Sequence, residues 1–189
     1  MLHFAPGTSS KEILVDDGDR SIVYTAEGTL SSVWETTIPD LKPEPVDATQ
    51  VYLGAAHTGR GTAKASFEFT GVGIAVYFVL TNITNVFLLP TFSIDGVVQP
   101  DRIKQAFIDG NGEKIIYNAP VFNRSELSNG THLLEIAGRR EEDGTNASFF
   151  ILDYIKYTQL EPNPQSNQAL VIGISVGACF VSIAIAVFT

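Results

Sequence analysis

Ala65-Ser-Phe-Glu-Phe-Thr70, continued across Gly71-Val-Gly73 by Ile74-Ala-Val-Tyr-Phe-Val79, is the stretch whose reading decides the fold. Ala65, Phe67 and Phe69 alternate with Ser66, Glu68 and Thr70, and Ile74, Val76 and Phe78 alternate with Ala75, Tyr77 and Val79. A period of two sends successive side chains to opposite faces of a pleated strand, so each run reads as a strand with one buried face. The glycines between the runs read as punctuation, and the two runs together as a hairpin. Outward from this segment, short apolar runs recur at 91–94, 103–108, 114–117, 132–137 and 149–157. They are separated by Asp95-Gly96, Asp109-Gly-Asn-Gly112, Asn129-Gly130 and Asp143-Gly144, pairs that supply the positive φ angles of tight turns. No convincing amphipathic helix interrupts them, and the pattern predicts an all-β antiparallel sandwich over residues 1–158.

At the other end, Ala169 to Thr189 reads ALVIGISVGACFVSIAIAVFT, without a charge. A helix of that length spans roughly 31 Å at about 1.5 Å per residue, the thickness of a bilayer's hydrocarbon core. Residues 169–189 are therefore expected to form a transmembrane helix, and the polar, proline-containing residues 159–168 a short stalk. The span contains Gly173-Ile-Ser-Val-Gly177, a small-xxx-small spacing that suits lateral homodimerisation through Gly173 and Gly177. Its Cys179 is the chain's one cysteine, so the preceding domain is expected to do without disulfides.

Four acceptor sequons, at Asn82, Asn123, Asn129 and Asn146, point to N-glycosylation and passage through the secretory pathway. The expected arrangement is a single-pass type I protein with an extracellular or lumenal ectodomain, its signal peptide and cytoplasmic tail missing from the sequence. A tail-anchored protein is the alternative. The formal net charge of −9 argues against nucleic-acid binding, because phosphate recognition needs clustered Lys and Arg.

The order of residues resembles a known group. Val15-Asp16-Asp17, Ile22-Val-Tyr24, the single Trp34, Ala56-His57-Thr58, Ala65 to Gly71 and Ile74 to Tyr77 carry the first half of the match. Ser93-Ile-Asp-Gly96, Val121-Phe122, Leu127 to Leu133 and Leu152-Asp-Tyr-Ile155 carry the second. Together they resemble the ectodomains of fungal single-pass membrane proteins, whose jelly-roll domain is similar to galactose-binding-like carbohydrate modules. The resemblance implies a jelly-roll β-sandwich that takes a glycan through loops at one end.

A sugar site needs an apolar platform beside hydrogen-bonding groups, and Trp34, His57 and Arg60, expected in loops, are the candidates for it. Asp16, Asp17 and Asp19 around Gly18 suggest a calcium loop, but no closing carboxylate follows, so a polar turn and no metal site are expected. Asp95 reads as a turn residue and Asp153 as a strand residue. No Gly-x-Ser-x-Gly elbow, paired-His motif or phosphate-cradling loop appears, and no cofactor is implied. The sequence thus reads as a non-enzymatic, membrane-anchored module for a cell-wall or surface glycan. A receptor-like or structural ectodomain that binds a protein partner is the alternative, and a hydrolase-associated domain the third reading.

Overall fold

The computed structural model describes residues 8–26, 34–36, 46–81, 87–88, 90–100, 115–140 and 147–162. Among them the fold is all-β and almost wholly antiparallel. The strands are β1 (Thr8–Asp16), β2 (Ile22–Ala26), β3 (Trp34–Glu35), β4 (His57–Arg60), β5 (Ala63–Thr81), β6 (Phe87–Leu88), β7 (Thr91–Ile94), β8 (Val97–Val98), β9 (Ile115–Ala137) and β10 (Ala147–Pro162). Two short 3₁₀ turns, Ala48–Gln50 and Tyr52–Gly54, form a strap before β4. The strands run β3-β4-β10-β5-β9-β7-β8, with β2 added to β5, β1 to β10, and β6 parallel to β10.

Two compact units are present, and the core lies in the one comprising Glu12–Gln159. The described residues of the other are 8–11 and 160–162, with an ion pair between Lys11 Nζ and Glu161 Oε1 at 3.4 Å. The expected transmembrane helix 169–189, with Gly173 and Gly177, lies outside the described residues, as do Asn82 and Asn146. Among the described residues no helix is long and apolar enough to cross a membrane. β10 runs on through Pro162, so the first residues of the expected stalk are strand.

The deciding stretch is not a hairpin. Residues 63–81 form one strand of 19 residues, paired along its whole length with β9. Gly71 and Gly73 permit close backbone approach there: a Cβ on Gly71 would run into the carbonyl of Thr158, and one on Gly73 would lie 3.2 Å from the carbonyl oxygen of Arg124. The Asn129-Gly130 signal does not reverse the chain either. Gly71 pairs with Gly130 and Gly73 with Ser125, so residues 126–129 stand opposite Val72 alone as a wide bulge, entered through Glu126 at φ 64°. Asp95-Gly96, at φ 52° and 76°, is the tight turn that the sequence predicts, joining β7 to β8.

β5 changes neighbours at the glycines. Ala63 to Phe67 border β2, whereas Gly73 to Val79 border β10. The sheet folds over on itself along this line. Phe78 pairs with Ala119 and Phe92 with Ile136, positions far apart along β9, yet their rings lie 6.0 Å apart. Phe92 also stacks on Phe122 at 4.8 Å, and Phe67 and Phe69 both pack on Tyr157. The alternating residues of 65–79 face this core, with Ala65, Phe67, Phe69, Ile74, Val76 and Phe78 all buried. Each buried Phe or Ile contributes about 1.5–3 kcal/mol of transfer free energy.

The two meanings of glycine are separable by mutation. Gly71→Ala should destabilise the protein by about 1–3 kcal/mol in denaturant titration, because the methyl group meets backbone. Gly130→Ala, at the paired position with nothing within 4 Å of a new Cβ, should stay within about 0.5 kcal/mol of wild type.

Candidate functional site

β1 ends at Asp16, and the turn that follows buries Asp17 rather than exposing it. Asp19 forms the outer part of this turn: its carboxylate accepts from the Ser21 amide at 2.8 Å and the Ser21 hydroxyl at 2.7 Å, which holds it below the usual carboxylate range. Asp17 is 1% exposed, and its Oδ2 accepts from His57 Nδ1 at 2.5 Å. The Tyr24 hydroxyl donates to the Asp17 carbonyl at 2.6 Å, while the Tyr24 ring stacks on the imidazole, 4.2 Å away and nearly parallel. Burial first, and then the charges of Asp17 and Asp16, hold the Tyr24 hydroxyl far above its ordinary value, so it remains a donor.

A third carboxyl group enters from β10. The register of β10 against β5 slips between Leu152 and Tyr154, leaving Asp153 as the extra residue of a bulge. Asp153 is fully buried, and its Oδ1 accepts from the amide of Tyr52 in the strap at 2.8 Å. Asp153 Oδ2, Asp17 Oδ1 and Asp16 Oδ1 are buried and find no hydrogen-bond partner among the described residues. Burial raises the Asp153 carboxyl to about 6, opposed by the Tyr52 amide and reinforced by the charges of Asp17 and Asp16. Burial and then the neighbouring Asp17 carboxyl raise Asp16 in the same direction. The result is a cluster of Asp16, Asp17, Asp153 and His57, half-buried to fully buried, in which Asp16 and Asp153 hold their protons above the usual carboxylate range. Among the described residues no group of three or more His, Cys, Asp or Glu side chains forms a metal-ligand set.

Two of the three sequence candidates come together. Trp34 and His57 lie edge to face with centroids 6.4 Å apart, on β3 and β4 rather than in loops. The Trp34 indole N–H donates to the carbonyls of Thr25 at 2.8 Å and Lys64 at 3.2 Å, and its ring meets Phe150 edge-on at 5.4 Å. It clamps β2 and β5 from a half-buried position. Arg60 is three residues from His57 and therefore on the opposite face of β4. Its guanidinium lies 4.8 Å from the Phe149 ring centroid and pairs with Glu35 at 3.8 Å. Of the described sequon residues, Asn123 and Asn129 are exposed on β9.

Sequence reasoning passed over Asp153 and the burial of Asp17. The one available signal was a carboxylate inside an otherwise apolar run, Phe149 to Ile155.

No family model and no curated protein matches the chain. Solved structures similar to it include the catalytic domain of a GH87 α-1,3-glucanase D1045A variant in complex with nigerose, at TM-score 0.41 and 14% identity, covering 82% of this chain and 29% of that one. The same catalytic domain without that substitution, also with nigerose, gives TM-score 0.38 and 13% identity over the same shares. The chain thus spans under a third of those structures. These neighbours are catalytic domains, and the reading of the chain as a non-enzymatic glycan-binding or protein-binding module is corrected accordingly. That reading rested on linear motifs, whereas Asp17, His57 and Asp153 converge from three distant segments.

The buried carboxyl makes a definite prediction. A raised folded-state value means that the native state holds a proton the unfolded chain has released, so stability falls as pH rises from about 4 through about 6. Thermal unfolding between pH 4 and 8 should show Asp153→Asn flattening this fall. Above pH 7 the variant should exceed wild type by about 1–2 kcal/mol, less than the full shift implies because solvent screens the cluster.

Proposed function

We propose that the chain carries a hydrolytic acid–base centre directed at glycosidic bonds, formed by Asp153 with the Asp17–His57 pair. The observation that carries this reading is the convergence of a proton-holding Asp153 and the hydrogen-bonded Asp17–His57 pair in one cluster. Asp153 keeps its proton up to about pH 6, next to an Asp17 carboxylate that faces His57 Nδ1 at 2.5 Å. A carboxyl that holds its proton beside an Asp–His pair offers an acid and a base, and glycoside hydrolysis uses an acid and a base on opposite sides of the scissile bond. In the proposed step, Asp153 gives its proton to the leaving glycosidic oxygen as the anomeric C–O bond breaks. Water forms the new C–O bond and loses a proton to His57, which Asp17 orients. The strap over Asp153 must swing aside for a sugar to enter. Leu53 within it is 75% exposed and left-handed at φ 49°, which supports movement there.

Reducing-end release from α- and β-linked glucans by the 189-residue chain tests this. The expected result is turnover with a limb near pH 6, lowered about 10²–10⁴-fold by Asp153→Asn in a folded variant. No release from any glucan, or an Asn variant as active as wild type, overturns it.

We also propose the address. The uncharged run 169–189 supports a bilayer-spanning helix, with Gly173 and Gly177 as the contact of a lateral homodimer, and the exposed Asn123 and Asn129 support a glycosylated ectodomain of type I topology. The self-folded sheet and the motifs shared with the fungal group support the finer assignment to a galactose-binding-like jelly roll. Protein from its native host should lose mass on treatment with peptide N-glycosidase, and an unchanged mass would favour the tail-anchored arrangement instead.

A further inference from the structure

The β7–β8 turn is tied to β9 by a side chain that the proposed chemistry does not use. His132 of β9 is 6% exposed, and both of its ring nitrogens face acceptors: Nδ1 lies 2.7 Å from Asp95 Oδ2 and Nε2 lies 2.8 Å from the carbonyl oxygen of Ser128. Neither a carboxylate nor a backbone carbonyl donates a proton. A neutral imidazole carries one N–H and would set a lone pair against one of these oxygens, whereas the imidazolium donates to both. We propose that His132 is a proton-operated clasp, closed as the imidazolium, that fastens the β7–β8 hairpin to the wide bulge of β9.

The surrounding geometry concentrates its effect on that hairpin. Ser128 belongs to the bulge of residues 126–129, the part of β9 with least support from β5. Asp95, in the turn, spends its other oxygen on the Leu133 amide at 2.9 Å, while its own amide donates to the Leu133 carbonyl at 2.9 Å. Losing one proton from His132 therefore breaks one of its two bonds and unfastens the turn from the bulge. β8, the last strand in its direction of the sheet, carries the exposed Val97 and Val98.

Among the described residues Asp95 is the one charged group that acts on the ring from the elements packed around it. From β5, the Phe69 ring lies 5.6 Å away and is uncharged, and Glu68 beside it is on the exposed face. From β10, Tyr157 is separated from His132 by Phe69. Along β9 itself, Arg124 and Glu126 are exposed. The Ser128 carbonyl first, and then Asp95, raise the imidazole above its ordinary 6.5, while Asp95 is held below its usual range chiefly by His132. The sign follows: the clasp's contribution is complete below about pH 6.5 and is lost as pH rises through the higher folded-state value.

This inference is independent of the glycosidase reading, and its test is resolved at one residue. Nitrogen-15 NMR of the imidazoles in the full 189-residue chain should show His132 protonated on both nitrogens at pH 6.5, with a midpoint above 6.5 that Asp95→Asn lowers. Hydrogen-exchange protection of the Leu133 amide, corrected for the intrinsic pH effect, should fall about tenfold across that midpoint in wild type and stay level in Asp95→Asn. A neutral tautomer at pH 6.5, a midpoint unmoved in Asp95→Asn, or protection independent of pH in wild type would overturn the proposal.

Discussion

The ladder between β5 and β9 is the constraint on which the rest of the structure depends. It runs from Lys64 against Ala137 to Thr81 against Ile115, and its register breaks let the paired strands fold over without parting. β2 adds to one half of β5 and β10 to the other, and β7 attaches to the far edge of β9. Because β5 and β9 are far apart in sequence, the ladder must close a long loop before it gains any contacts, so the fold carries the kinetic cost of non-local pairing. What holds it afterwards is the fold-over: Phe78, Phe92 and Phe150 meet only when both halves of the ladder are in place.

Against this apolar core the molecule sets a polar arrangement that opposes stability. Burying a carboxyl group without a partner costs several kilocalories per mole unless it keeps its proton, and Asp16 and Asp153 meet that cost by holding protons longer than free carboxyls do. His57 Nδ1 hydrogen-bonds one member, and the Tyr52 amide donates to another. The strain is local and maintained by surrounding structure, the pattern found where groups are kept ready for chemistry. His132 is the opposite case, a buried base given two acceptors so that it stays charged. Both arrangements favour the folded state in mildly acidic water.

Local pattern was legible where one strand decided it. The alternation through Phe67, Phe69, Val76 and Phe78 named core residues correctly, and Asp95-Gly96 named its turn, because both depend on neighbours in sequence. Gly71 and Gly73 misled, since a glycine that admits a carbonyl from β10 looks the same in sequence as a glycine that turns the chain. The candidate site was legible only in fragments. His57 and Trp34 meet edge to face, but Arg60 sits on the other face of the same strand, a parity that loop assignment conceals. Asp153 looked like an ordinary strand residue because its role comes from a bulge and from Tyr52, about a hundred positions away.

The proposed chemistry turns on Asp153 holding its proton inside this cluster while the fold is intact. Carbon-13 NMR of the aspartate carboxyls in the folded protein measures that directly. The Asp153 midpoint should lie near 6 and move down when Asp17 is replaced by Asn, because a neighbouring carboxyl that opposes its ionisation is removed. A midpoint near the ordinary 3.8, unaffected by Asp17→Asn, would contradict it.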